Sequence, residues 1–111
     1  MGADAAGDSV GTMAPEPRIR WHLTAAHTDG RLLRAELWVP PGTPPRPPHA
    51  HPREEERLEL LGGTMELEVG GERSLLGCGH DAIVIAPGTR HSWRNAGADV
   101  LHFMFDLELI G

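Results

Sequence analysis

A chain of 111 residues has room for one domain and a core that needs no disulfide. Sixteen acidic residues against ten arginines give a net charge of −6, which excludes the basic stripe that phosphate backbones require. The single cysteine, Cys78, forbids an internal disulfide, and no apolar run approaches membrane-spanning length, so neither nucleic acid nor membrane is an expected partner.

Residues 1 to 17 are small, acidic and aperiodic, and read as a disordered tail. They lack the positive start and apolar stretch of a signal peptide, and the expected location is cytoplasmic. The ordered domain is expected over residues 18–111. From Arg18 the dominant period is two, the mark of half-buried strands. Ile19, Trp21 and Leu23 alternate with Arg18, Arg20 and His22. Leu33, Ala35, Leu37 and Val39 alternate with Leu32, Arg34, Glu36 and Trp38. Six prolines between Pro40 and Pro48 then forbid helix and central strand alike, leaving a stiff loop that delivers His49.

After Pro52, Leu58 and Leu60 share one face, and Gly62-Gly63 bends the chain. Met65, Leu67 and Val69 follow, and Gly70-Gly71 closes a hairpin. Ala82 to Ala86 suits a short buried strand, ended by Pro87-Gly88. Leu101, Phe103, Phe105, Leu107 and Leu109 form the last inward row. No segment carries a helical period. Many short strands punctuated by Gly and Pro predict an all-β sandwich or barrel.

Against this frame one constellation carries chemistry. His49 and His51 sit at i and i+2, where an extended chain points both to one face. The acidic run Glu54-Glu55-Glu56 follows. Parity with Leu58 and Leu60 turns Glu56 inward, with Glu55 as the alternative because Pro52 interrupts the count. His91 stands after the Pro87-Gly88 turn. Taken singly, a His-x-His pair or an acidic run is ordinary. With a third histidine they predict a mononuclear site for one divalent transition metal, Fe, Mn, Co, Ni, Cu or Zn. Four protein ligands leave two positions of an octahedron for water, dioxygen or substrate. Trp93, sharing the parity of His91, is expected to line the pocket beside the metal, and Arg90 and Arg94 are candidates for clamping a carboxylate. No nucleophile–base–acid triad and no phosphate-cradling glycine loop is present.

These residues also carry a resemblance. From about Arg18 to Ile110 the chain resembles the small single-domain cupins of bacteria. Their first motif runs His-x-His, three or four residues, Glu, six residues, Gly. His49, His51, Glu56 and Gly63 fit its longer form, and Glu55 with Gly62 its shorter one. In the second motif, Gly88, His91 and Asn95 match, while Ala86 replaces a proline and His80 a glycine. Those two departures touch no ligand and fall at the entry to that strand. The resemblance implies a small double-stranded β-helix, the jelly-roll barrel, with the metal inside and Phe103 and Phe105 shaping the cavity beside Trp93. It further implies a metal-dependent enzyme on a small organic molecule, of dioxygenase or isomerase/cyclase type, with iron the first choice of ion. A non-catalytic module that binds or senses a small molecule is the alternative. Leu32 and Trp38 fall on the outward face, where they pack under the tail or form the contact of the homodimer that the resemblance allows.

Overall fold

A computed structural model of the chain describes residues 15–24 and 29–110. The first fourteen residues of the expected tail lie outside the described residues. Every regular element among the described residues is a strand: β1 (Arg18–Leu23), β2 (Leu32–Val39), β3 (Glu54–Gly62), β4 (Thr64–Val69), β5 (Glu72–Gly77), β6 (Ile83–Ile85), β7 (His91–Asn95) and β8 (Leu101–Leu109). They form two antiparallel sheets, one of five strands in the order β1–β2–β8–β3–β6 and one of three in the order β5–β4–β7.

The alternation seen in the sequence dictates which face is buried. Ala35, Leu37 and Val39 of β2, Leu58 and Leu60 of β3, and Leu101 and Phe103 of β8 pack from the larger sheet. Met65, Leu67 and Leu76 meet them from the smaller one, giving a single core between the layers. Because successive side chains alternate faces, this register also turns Glu56 inward, two residues before Leu58.

Turn chemistry sets the corners. Gly70 and Gly71 both adopt positive φ, 59° and 90°, the requirement of a type I′ hairpin between β4 and β5. At Gly63 φ is 82°, and a Cβ there would lie 2.6 Å from the Val100 carbonyl oxygen and 2.9 Å from the Leu101 Cα. Only glycine satisfies both the left-handed backbone and that approach.

Two expectations need adjustment. The apolar run from Ala82 to Ala86 forms a strand over Ile83–Ile85 alone, and Val84 is exposed because β6 is the edge of the larger sheet. An apolar run carries no period from which to tell an edge strand from a central one. Residues 72–77, the second arm of the hairpin expected at Gly70-Gly71 but given no bounds in the sequence, pair with β4 from Thr64↔Gly77 to Val69↔Glu72.

Trp38 does lie on the outer face, but it is covered by its own chain. His102 of β8 stacks on it, with ring centroids 4.8 Å apart and planes within 12°, and the Arg18 guanidinium sits 4.7 Å from the indole.

Candidate metal centre

The proline-rich segment is fastened at both ends. At its start Thr43 bonds the Pro40 carbonyl through its amide, at 3.3 Å, and its hydroxyl, at 2.7 Å. At its end His49 and His91 exchange both backbone hydrogen bonds, at 2.9 and 2.8 Å, as an isolated antiparallel bridge. Gly88 then donates to the His51 carbonyl at 2.8 Å. The His-x-His segment is thereby laid along the start of β7, where His91 is the first residue. Glu56 comes from β3, paired with Leu107 on one side and Ile85 on the other. Three separate parts of the chain thus converge through backbone pairing alone.

Their side chains meet as well. One ligand atom from each of His49, His51, Glu56 and His91 lies within 4.8 Å of the others. The Nε2 atoms of His91 and His51 approach the same carboxylate oxygen, Glu56 Oε1, at 2.9 and 3.1 Å. An octahedral ion with bonds of about 2.1 Å requires neighbouring donors about 3.0 Å apart, and the two imidazole–carboxylate distances meet that spacing. Glu56 and His91 are buried, and His49 is the most accessible of the four. Glu55, of opposite parity, is outside the cluster.

The chemistry of this contact calls for a proton or a metal ion between the two groups. His91 Nδ1 lies 2.9 Å from the Thr89 carbonyl oxygen. A carbonyl only accepts, so Nδ1 carries the proton. In the neutral ring Nε2 then presents a lone pair to the Glu56 carboxylate oxygen 2.9 Å away, and two acceptors repel unless a proton or a metal ion lies between them. Imidazole nitrogen with one carboxylate oxygen is the donor set of borderline divalent transition ions. The backbone contact from Thr89 orients the ring as carbonyls orient metal-bound histidines. The cluster fits one such ion.

Beside it lies a cavity of about 270 Å³, at the small end for a drug-sized ligand. Trp93, Phe103 and Phe105, the residues expected to shape the pocket, all line it, together with His49, His51 and Glu56. Trp93 meets Phe103 edge-on, with centroids 5.0 Å apart and planes at 75°, and Trp21 meets Phe105 at 6.5 Å and 70°. Such edge-to-face pairs hold rings in defined orientations. Pro17, just ahead of β1, also reaches the cavity.

The arginines fall differently from expectation. Arg94 donates to Glu66 on β4 at 2.7 Å and holds that carboxyl below the usual carboxylate range. Neither Arg94 nor Arg90 lines the cavity that His49, His51 and Glu56 line. Arg46 does, and the sequence reading passed over it. Trp21 and Leu37 line it too, and their inward parity on β1 and β2 was a signal that could have placed them there. For Arg46 no such signal exists, because a proline-rich loop has no period to say where a side chain points.

The comparisons agree with this geometry. A search of curated proteins finds no match. Among solved structures, a predicted oxalate decarboxylase from Thermotoga maritima superposes with a TM-score of 0.77 at 22% identity, over 92% of this chain and 97% of that one. The cupin domain of an XRE family transcriptional regulator from Enterobacter cloacae gives 0.69 at 18%, over 86% and 98%. An oxalate oxidase in complex with glycolate gives 0.68 at 20%, over 84% of this chain and 51% of that one. At these identities the likeness is one of fold, a jelly roll of two antiparallel sheets. The family model described as "Cupin domain" matches residues 35–107, from β2 through most of β8, and so the chain belongs to the cupins.

Proposed function

We propose that this cupin is a mononuclear metal enzyme acting on a small organic molecule, of dioxygenase or isomerase/cyclase type. The observation that carries the reading is the approach of two imidazole nitrogens to one buried carboxylate oxygen at the wall of an aromatic cavity. His49, His51, Glu56 and His91 would hold the ion. A bound divalent ion supplies Lewis acidity toward substrate oxygens and, when redox-active as iron is, one-electron chemistry with dioxygen. The chain's own contribution is placement. Thr89 fixes the His91 ring, the His49–His91 bridge fixes the loop, and the Trp93–Phe103 pair gives a planar substrate an apolar wall that sheds water.

A second reading has its own support. Among the described residues the only ionisable side chains lining the cavity are Arg46, His49, His51 and Glu56, so none of these is left over as acid or base once the ligands are assigned. That composition suits a module that binds a small molecule without transforming it, as does the structural likeness to a cupin domain from a transcriptional regulator.

Elemental analysis of untagged protein tests the first reading. Near-stoichiometric first-row metal is expected in the wild type and its loss in His51→Ala. Absence of metal in the wild type, even after anaerobic reconstitution with Fe(II), would sink it. If metal binds, a screen of small acids and enols for oxygen uptake or isomerisation separates enzyme from binding module.

A further inference from the structure

We propose that Arg46 is the anchor for an anionic substrate group, which makes the ligand class a small carboxylic acid with a flat apolar body. The inference rests on the metal-site reading and specifies what enters beside the ion. Arg46 lines the same cavity as His49, His51 and Glu56. Among the described residues its guanidinium has no ion-pair or hydrogen-bond partner, and of the arginines that face no carboxylate it alone lines this cavity, whereas Arg34, Arg57, Arg73 and Arg94 are each paired.

Its mounting is stiff. Pro44 and Pro45 precede it and Pro47 and Pro48 follow, restricting the backbone to extended conformations. The segment is fastened at Thr43 and again at His49, three residues beyond the arginine. A long side chain on such a support loses less freedom on binding than one on a loose loop.

Charge points the same way. A divalent ion against the single negative charge of Glu56 leaves the site positive, and Arg46 adds to it with no second acidic residue in the lining among the described residues. An anion is the complement. The planar fork of a guanidinium matches a carboxylate through two parallel hydrogen bonds. The remaining wall, built from Trp21, Trp93, Phe103 and Phe105, offers faces and edges to a flat body. A cavity of about 270 Å³ has room for about one ring within its walls.

The test uses Ni(II)-loaded full-length protein with benzoate and its neutral isostere benzamide, read by tryptophan fluorescence, since Trp21 and Trp93 line the cavity. Benzoate is expected to bind at least tenfold more tightly than benzamide. Arg46→Met is expected to weaken benzoate by about ten- to a hundredfold, as loss of a charged hydrogen-bonded pair does, with benzamide affinity and nickel content unchanged. Arg46→Lys should recover part of the loss. The proposal is overturned if wild type fails to bind benzoate at millimolar concentration, if it shows no preference over benzamide, or if Arg46→Met leaves benzoate affinity intact. Failure of the metal reading shows separately, as absence of bound nickel in the wild type.

Discussion

At the scale of single residues, the positions that matter most for the site are those that hold its ligands. Asn95 ends β7, four residues after His91, and its side chain is buried. Its Nδ2 donates to the carbonyls of Val39 and Asp99 at 2.9 and 2.8 Å, and its Oδ1 accepts from the Gly97 amide at 2.9 Å. One amide thus ties the end of β2 to β7 and to the turn leading into β8. Asn95→Ala removes this partner from two carbonyls and an amide, and should cost about 2–3 kcal/mol. Asn95→Asp should cost at least as much, because a carboxylate oxygen then faces two carbonyl oxygens. Urea unfolding measures both. Two variants within about 0.5 kcal/mol of wild type would show that this bonding is dispensable.

At the scale of elements, the outer face of the larger sheet has a network of its own. Glu36 on β2 receives His22 from β1 at 2.9 Å through one oxygen and His102 from β8 through the other. Beside it Arg34 grips Asp106 across β2 and β8 with two bonds, at 2.9 and 3.0 Å. The hydrogen bond from His102, and after it the one from His22, hold the Glu36 carboxyl below its ordinary value of 4.5. A group so lowered binds its proton less readily in the folded chain than in the unfolded one. Its stabilising effect is therefore complete above about pH 4.5 and is lost as the pH falls through the folded value. Glu36→Gln keeps the shape and removes the titration. Wild type should melt above Glu36→Gln at pH 6.5, with the gap closing as the pH falls below 4.5. A gap that stays constant across that fall would show that the carboxylate contributes nothing.

This network also marks where sequence reading stops. Period-two alternation turned Leu58, Leu60 and hence Glu56 inward, and two histidines at i and i+2 announced a shared face. These are local facts, and local patterns carry them. Which strand lies beside which is not local. The partnership of Arg94 with Glu66 depends on β7 lying against β4, and that of His22 and His102 with Glu36 on β2 lying between β1 and β8. Hence Arg94 could be read as a clamp when it is engaged elsewhere, and Arg46 could be missed, its position set by a loop without period.

At the scale of the whole molecule, the proposed ion would act as a cross-link. Its ligands come from the proline-rich loop, from β3 in the larger sheet and from β7 in the smaller, so occupying the site joins both layers through one point. The unfolded chain has no such constellation, and any ion bound only by the folded form adds stability by mass action. At a hundredfold excess over the dissociation constant this is about 2.7 kcal/mol. In a domain of this size each kcal/mol moves the melting temperature by roughly 4 °C or more. Metal-loaded protein should therefore melt about 10 °C above the same protein in EDTA, while Glu56→Ala should melt at one temperature under both conditions. Hydrogen exchange separates a global effect from a local one. The amides of His49 and Gly88 bond to the carbonyls of His91 and His51 and so report on the loop. If the ion braces both sheets, EDTA should speed exchange at these amides and along β3 and β7 together. Faster exchange at His49 and Gly88 with an unchanged melting temperature would mean that the ion fastens the loop and leaves the barrel to stand on its apolar core.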